Sequence, residues 1–463
     1  PQILYAAGGF LATLPDMGSA NIMKTTDFGD TWSTLNTTIP AKNTVQRIEL
    51  AISPSNPDYV YALACNLQSS FYALYRSTDG GATWEERSAR HGSVIDALNT
   101  PNILGWVDGN LTDDRGQGTY DLALLVDPVN KDRIYTGGIN AWSSPDGGKS
   151  WELVSYWRND YGLSLHADQH LFKYHPQNKE FYVCNDGGIY RTKQMKSISW
   201  AALAAGNTCQ DANGNYVQGC SRLPTQWENI TSSLVITSFY RLGLYTPDPN
   251  YMVAGCQDNS TYIKQGDDKW VNTFGGDGMD CKIDPRNRNT IYGSAQFGLF
   301  FKSTNGGNSY TIINRDMYQT ERGAWTSPIH INPTHSNTVF LAMGNVYKSN
   351  DGGTNWTKLS NFNNFAGASF PLPTSALAVS NDNQVIYAAK RSYPDRNLDS
   401  EVWASKDGGN TWQNISNGLP NYLYPTSMTL ATNNPDKVWV TYSGFENGQK
   451  IYESTNGGAT CTN

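Results

Sequence analysis

The chain has 463 residues, a formal net charge of -7, 38% hydrophobic and 16% charged residues, and an abundance of Gly (43), Tyr (27) and Trp (14). Such a composition reads as a turn-rich, aromatic-packed β protein and excludes disorder, coiled coil and a helical bundle. With no Lys/Arg run, and no apolar stretch near the roughly 20 residues of a bilayer span, neither nucleic-acid binding nor membrane insertion is expected.

By length alone the chain would hold two or three domains, unless repeats let one body grow this large. Two repeats are present. The first is an eight-residue motif at Thr25–Trp32, Ser77–Trp84, Ser144–Trp151, Ser303–Tyr310, Ser349–Trp356, Ser405–Trp412 and Ser454–Cys461. Its third position is Asp27, Asp79, Asp146, Asn305, Asp351, Asp407 and Asn456, spaced 46 to 67 residues apart except for one gap of 159, which has room for two degenerate units. The second repeat is a Pro/Asn turn followed by an alternating strand, starting at Ser53, Asp127, His175, Thr246, Asp284, Asn332, Ser380 and Asn433, with a partial copy at the amino end. Together they define nine units of four short strands each, the pattern of a propeller blade. We therefore expect an all-β propeller of about nine blades over residues 1–463, as one large ring or, alternatively, two smaller ones, with an insertion at 201–224. The first unit lacks an opening strand and the last stops where a fourth should begin, so a longer parent chain is expected.

Within the eight-residue motif, the acidic side chain accepts backbone N–H bonds of its own turn, glycine supplies positive φ, and tryptophan packs between neighbouring sheets. These positions are structural. Cys209 and Cys220 bracket a polar segment that reads as a disulfide-closed loop in an oxidising compartment, and Cys256 with Cys281 is a second candidate bridge. Sequons beginning at Asn36, Asn110, Asn229, Asn259, Asn355 and Asn414 fit an extracellular surface.

The eight-residue motif resembles the Asp-box, or BNR, repeats of sialidases, xyloglucan-active glycoside hydrolases and sortilin-type receptors. The order HADQH at His166, NDGGIYRT at Asn185, CQDNS at Cys256 and GGDGMDCKIDP at Gly275 is similar to secreted BNR-repeat proteins of Bacteroidetes, many of which carry a carboxy-terminal secretion-sorting domain. That resemblance implies a secreted or cell-surface protein, a glycan or extracellular protein partner, and further domains of the same chain. The sialidase Arg-Ile-Pro signature is not met, since Arg47-Ile48 is followed by Glu49.

Candidate chemistry lies where the repeat breaks. Strand alternation would place His166, Asp168 and His170 on one face of an innermost strand. On a straight strand i and i+4 side chains start roughly 13 Å apart, so a hydrogen-bond network in which Asp168 orients a histidine is expected instead of a metal site. Asn185, Asp186, Gln257, Asp258, Asp277 and Asp280 are further polar candidates, and Asp168 with Asp277 or Asp258 would supply the carboxyl pair of a glycoside hydrolase. The alternative makes Asp258 and Asp277 turn residues. Trp157, with Tyr156, Tyr161, Phe362, Phe365, Phe370, Tyr393, Tyr422 and Tyr424, offers rings for a sugar-binding rim. No cofactor motif is present. The leading expectation is a glycan- or protein-binding adhesion scaffold; a polysaccharide-acting hydrolase and a structural subunit of an extracellular assembly are the alternatives.

Overall fold

A computed structural model describes all residues except 1, 9–20, 41–43, 92–99, 107–114, 158–164, 201–224, 235, 267–268, 336, 364–370 and 446, and the side chain of 395. Among the described residues the chain is almost wholly β and forms nine antiparallel sheets, each a meander in chain order. Numbered as blades 1 to 9, they open with Leu4–Ala7, Val45–Ile52, Ala123–Val126, Gln169–His175, Phe239–Leu244, Cys281–Asp284, Ile329–Ile331, Thr374–Val379 and Pro425–Ala431. Blades 1 to 4 belong to one compact unit, Pro1–Ile236, and blades 5 to 9 to a second, Thr237–Asn463. Within each unit the opening strands of consecutive blades touch, and in blades 2 to 9 these are the innermost strands, as in a β-propeller. Among the described residues blade 1 lacks that strand, since Leu4–Ala7 pairs with the strand entering the motif (Leu4 with Thr25) as the second strand of blade 2 does (Val60 with Ser77). The long gap between motif copies holds blades 4 and 5, which lack the motif.

Strand count departs from four in three places. Blades 1 and 9 have three strands, whereas blade 3 gains a fifth, Ile198–Ser199, paired with Glu152–Ser155. The fifth strand is held because Ser197 donates to Glu152 at 2.6 Å and Trp200 packs edge-on to fully buried Trp142 at 5.3 Å. The insertion at 201–224, with Cys209 and Cys220, lies outside the described residues.

Burial follows from strand alternation. In blade 2, Tyr61, Leu63 and Cys65 face a core shared with blade 3, while Val60, Ala62 and Ala64 face one shared with blade 1. Blade 7 repeats the arrangement, with Val339 and Leu341 towards blade 6 and Phe340 and Ala342 towards blade 8. A second strand therefore reads as a continuous apolar run, since both of its faces are covered. Its tyrosine reaches across to the next blade: Tyr61 donates to the Lys131 carbonyl at 2.8 Å and Tyr387 to that of Pro435 at 3.0 Å.

The eight-residue motif closes the turn between third and fourth strands as expected. In blade 2, Asp79 accepts the Thr83 N–H at 2.9 Å and the Thr83 hydroxyl at 2.6 Å, and the Ser77 hydroxyl donates to it at 2.7 Å. These bonds, the Thr83 hydroxyl first, hold its carboxyl down to about 2. Asn305 and Asn456 do the same work by turning their amide N–H towards Ser309 and Thr460. The motif's serine is the buried partner: Ser349 accepts the buried Gly353 N–H at 2.7 Å. Ser349→Ala is expected to cost about 1–3 kcal/mol in urea unfolding, because that N–H is left without an acceptor.

The proposed Cys256–Cys281 bridge is absent, and both thiols are free and buried. Cys256 Sγ lies at 3.6 Å from the Ala254 carbonyl and Cys281 Sγ at 3.4 Å from that of Val253. Each thiol thus lies against a carbonyl of the strand Met252–Cys256.

Candidate functional site

The segment His166–His170 lies at the mouth of blade 4, but not as one continuous strand. The innermost strand starts only at Gln169, and a register shift follows between Gln169 and Leu171. Asp168 precedes it in a left-handed conformation, φ +65°. The expected common face of His166, Asp168 and His170 is therefore broken, because a left-handed residue and a bulge each rotate the side chains out of alternation. The segment is seated on blade 3 by the Asp168 N–H to Ile139 and the Gln169 N–H to Gly138. Gly137 makes room for it, since a Cβ there would meet Gln169 Cβ at 2.4 Å.

That kink turns Asp168 towards Asp121, the residue that ends the loop before blade 3. Gln117 Nε2 donates to Asp168 Oδ1 at 2.8 Å and to Asp121 Oδ2 at 3.3 Å. Asp121 is fully buried and its Oδ1 accepts no hydrogen bond. Burial, followed by the Asp168 charge, drives the Asp121 carboxyl far above the usual carboxylate range. Burial also raises Asp168, but a hydrogen bond from Asp121 opposes it. Burial and mutual charge therefore favour retention of a proton by this pair of carboxyl groups.

A second chain of bonds stands beside the pair. His170 Nε2 meets Asp186 Oδ1 at 2.6 Å, and Tyr120 donates to Asp186 Oδ2 at 2.9 Å. The Tyr120 and His170 rings pack edge to face at 4.9 Å. Bonding to Asp186 raises the His170 pKa, outweighing burial, so the imidazolium form is favoured. Asp168 and Asp186 oxygens lie within 4.8 Å of each other. Asp186 sits on the hairpin turn between the second and third strands of blade 4, where Asn185 Nδ2 bonds the His166 carbonyl at 3.1 Å and Gln169 Oε1 at 3.2 Å. Gly187 lets His166 cross that turn, since a Cβ there would lie 2.4 Å from the imidazole carbon Cγ. The cluster thus offers ionised acceptors, a retained neutral carboxyl and a half-exposed tyrosine ring on one surface.

The other candidates make contacts of their own. Asp258 and Asp277 belong to the second unit: Asp277 accepts the Asp258 N–H on one oxygen and Gln296 Nε2 on the other, tying down a loop of blades 5 and 6. Gln257 is held in that loop by its N–H to Ser238. Asp280 bridges blades 6 and 7, bonded to Lys282 at 2.6 Å and to the Ile329 N–H at 2.9 Å. Trp157 packs edge-on to Trp106 at 5.3 Å beside the core of blade 3, and Tyr156 and Phe362 are buried, so none of these three presents a free ring. Tyr161, Phe365 and Phe370 lie outside the described residues. Tyr393 and Tyr424 flank the Arg391 guanidinium, and Tyr422 remains exposed.

Asp121, Tyr120, Gln117 and Arg47 escaped the sequence reading. Arg47, on the innermost strand of blade 2, donates to the carbonyls of Thr119 and Tyr120 and so fixes the loop that carries Tyr120 and Asp121. The one available signal was an acid just before an innermost strand in blades 3, 4 and 6: Asp121, Asp168 and Asp280.

No protein-family model and no curated protein matches the chain. Solved structures similar to it include the GH74 enzyme of Niastella koreensis, at 16% identity and TM-score 0.31, covering 100% of this chain and 69% of that one. The GH74 xyloglucanase of Xanthomonas campestris follows at 14% and 0.29, covering 100% and 70%. YCF48 bound to a D1 peptide gives 11% and 0.25, covering 74% and 93%. At these identities the likeness is one of fold.

Proposed function

We propose that this chain is an Asp-box propeller that binds glycans outside the cell, as a recognition or adhesion scaffold, with the acid cluster of blade 4 as its sugar site. The observation that carries this reading is the geometry that brings Asp121 and Asp168, both bonded by Gln117, beside the Tyr120–Asp186–His170 chain. Vicinal sugar hydroxyls require fixed acceptors and donors on one side, and the C–H face of a pyranose requires a ring; Tyr120, 52% exposed, supplies the ring. The seven turn motifs support the Asp-box assignment, and the sequons support the extracellular setting.

The test is retention on a panel of immobilised plant, algal and host polysaccharides. Asp168→Asn is expected to weaken retention at least tenfold, because the paired carboxylate becomes a neutral amide. Asp407→Asn should leave retention unchanged, since asparagine already fills that turn position at 305 and 456. Retention unaffected by Asp168→Asn would remove the sugar site from blade 4.

A second reading, a glycoside hydrolase, is favoured by the meeting of two carboxyl groups, Asp168 and Asp186, whose oxygens lie within 4.8 Å of each other. In it the Asp121–Asp168 pair would supply the acid's proton and Asp186 the second carboxylate. Reducing-end release abolished by both Asp168→Asn and Asp186→Asn would put catalysis in place of simple binding.

A further inference from the structure

The second unit holds a cavity of about 220 Å³ to which each of its five innermost strands contributes: Arg241 from blade 5, Lys282 from blade 6, His330 from blade 7, Leu377 from blade 8 and Ser427 from blade 9. Arg241 donates to the Thr426 carbonyl of blade 9 at 3.0 Å and to its neighbour's carbonyl, that of Tyr240, at 2.9 Å. Among the described residues no carboxylate pairs with it. Lys282 is neutralised by Asp280, whose remaining oxygen is taken by the Ile329 N–H. The walls therefore carry one uncompensated positive charge.

His330 adds an unpartnered polar group to the lining. Its Nε2 is buried and has no hydrogen-bond partner among the described residues. Burial, reinforced by the Lys282 charge, lowers its pKa to about 4, so the ring is neutral and carries a single N–H. A buried polar atom left without a partner is costly unless a ligand or water satisfies it. The cavity is smaller than the ~300–1,000 Å³ typical of drug-sized ligands, which suits one sugar ring or a short acid.

We infer that this axial cavity binds a monocarboxylate, the group carried by a uronic acid, with Arg241 pairing the carboxylate and His330 donating to it. A guanidinium matches a carboxylate in a two-point fork, and the single net charge of the walls matches one acid, not a doubly charged anion. The lining shares no residue with the acid cluster of blade 4, and the inference does not rest on that cluster.

Isothermal titration with galacturonate, acetate, sulfate and glucose tests the assignment. Galacturonate is expected to bind at least tenfold more tightly than glucose or sulfate, and Arg241→Gln and His330→Phe each to weaken it at least tenfold. Arg241→Lys, which keeps the charge but not the fork, should fall between, and it replaces Arg241→Gln if thermal melting shows the latter unfolded. Asp168→Asn should bind galacturonate normally even if it loses glycan retention, so failure of one site is distinguishable from failure of the other. Acetate binding as tightly as galacturonate would keep the carboxylate site and make its ligands small acids. Equal binding of glucose, preference for sulfate, no heat with any ligand, or indifference to both Arg241→Gln and His330→Phe would overturn the inference.

Discussion

Gly148→Ala is expected to destabilise the first unit by about 2–5 kcal/mol, a large fraction of the stability of a typical domain. Two terms add. Gly148 has φ +95°, where an L side chain costs about 1–2 kcal/mol. Its Cβ would lie 2.1 Å from Leu74 Cδ2 in the core between blades 2 and 3, an overpacking of about 1–3 kcal/mol. Gly418, at φ +81° with open space around it, isolates the first term, so Gly418→Ala should cost only about 1–2 kcal/mol. Urea midpoints of the two variants measure the difference; equal losses would mean that the turn of blade 3 is not clamped against Leu74. The same conflict recurs at Gly307 against Ile263 and Gly458 against Ile415, so this glycine is where each motif turn docks on the preceding blade.

Asp121→Asn is expected to flatten the pH dependence of stability. The folded-state pKa of Asp121 lies above its unfolded value, so its contribution is fully present below the unfolded pKa and is lost as pH rises towards the folded one. Above about pH 4 the folded state keeps a proton that the unfolded chain releases, and stability should fall by about 1.4 kcal/mol per pH unit. His170 adds a change of the same sign, starting near its ordinary pKa of about 6.5, because its folded pKa is also raised. Asparagine reproduces the neutral acid, with its amide donating to Asp168 and its oxygen facing Gln117. Urea unfolding between pH 4.5 and 6.5 should therefore show a steeper loss of stability with rising pH in the native protein than in Asp121→Asn, with the His170 slope surviving above pH 6.5. Parallel profiles would mean that Asp121 and Asp168 do not share a proton.

The blades were legible because what specifies them is local. A Ser/Thr-x-Asp/Asn turn with its two glycines sets its own hydrogen bonds within eight residues, and the apolar run of a second strand records burial on both faces whatever lies beyond. The acid cluster was legible only in part. His170, Asp186 and Asn185 stand out because blade 4 lacks the motif that fills other blades, yet the face they share depends on a left-handed Asp168 and a bulge that strand periodicity does not register. Asp277 and Asp280 look like the same chemistry in sequence, but their carboxylates are taken up by donors that hold neighbouring loops and strands together.

From sequence alone followed the all-β class, nine blades, the turn chemistry of Asp79 and its six counterparts, and the two motif-free blades between Asp146 and Asn305. The partnership of Asp121 with Asp168, the grip of Arg47 on the Tyr120 loop, the separation of Cys256 from Cys281 and the convergence of five innermost strands around Arg241 and His330 were decided by tertiary structure. The physical reason is range: turns and alternation are written over a few residues, whereas a shared proton or an axial cavity exists only once strands far apart in the chain are packed side by side.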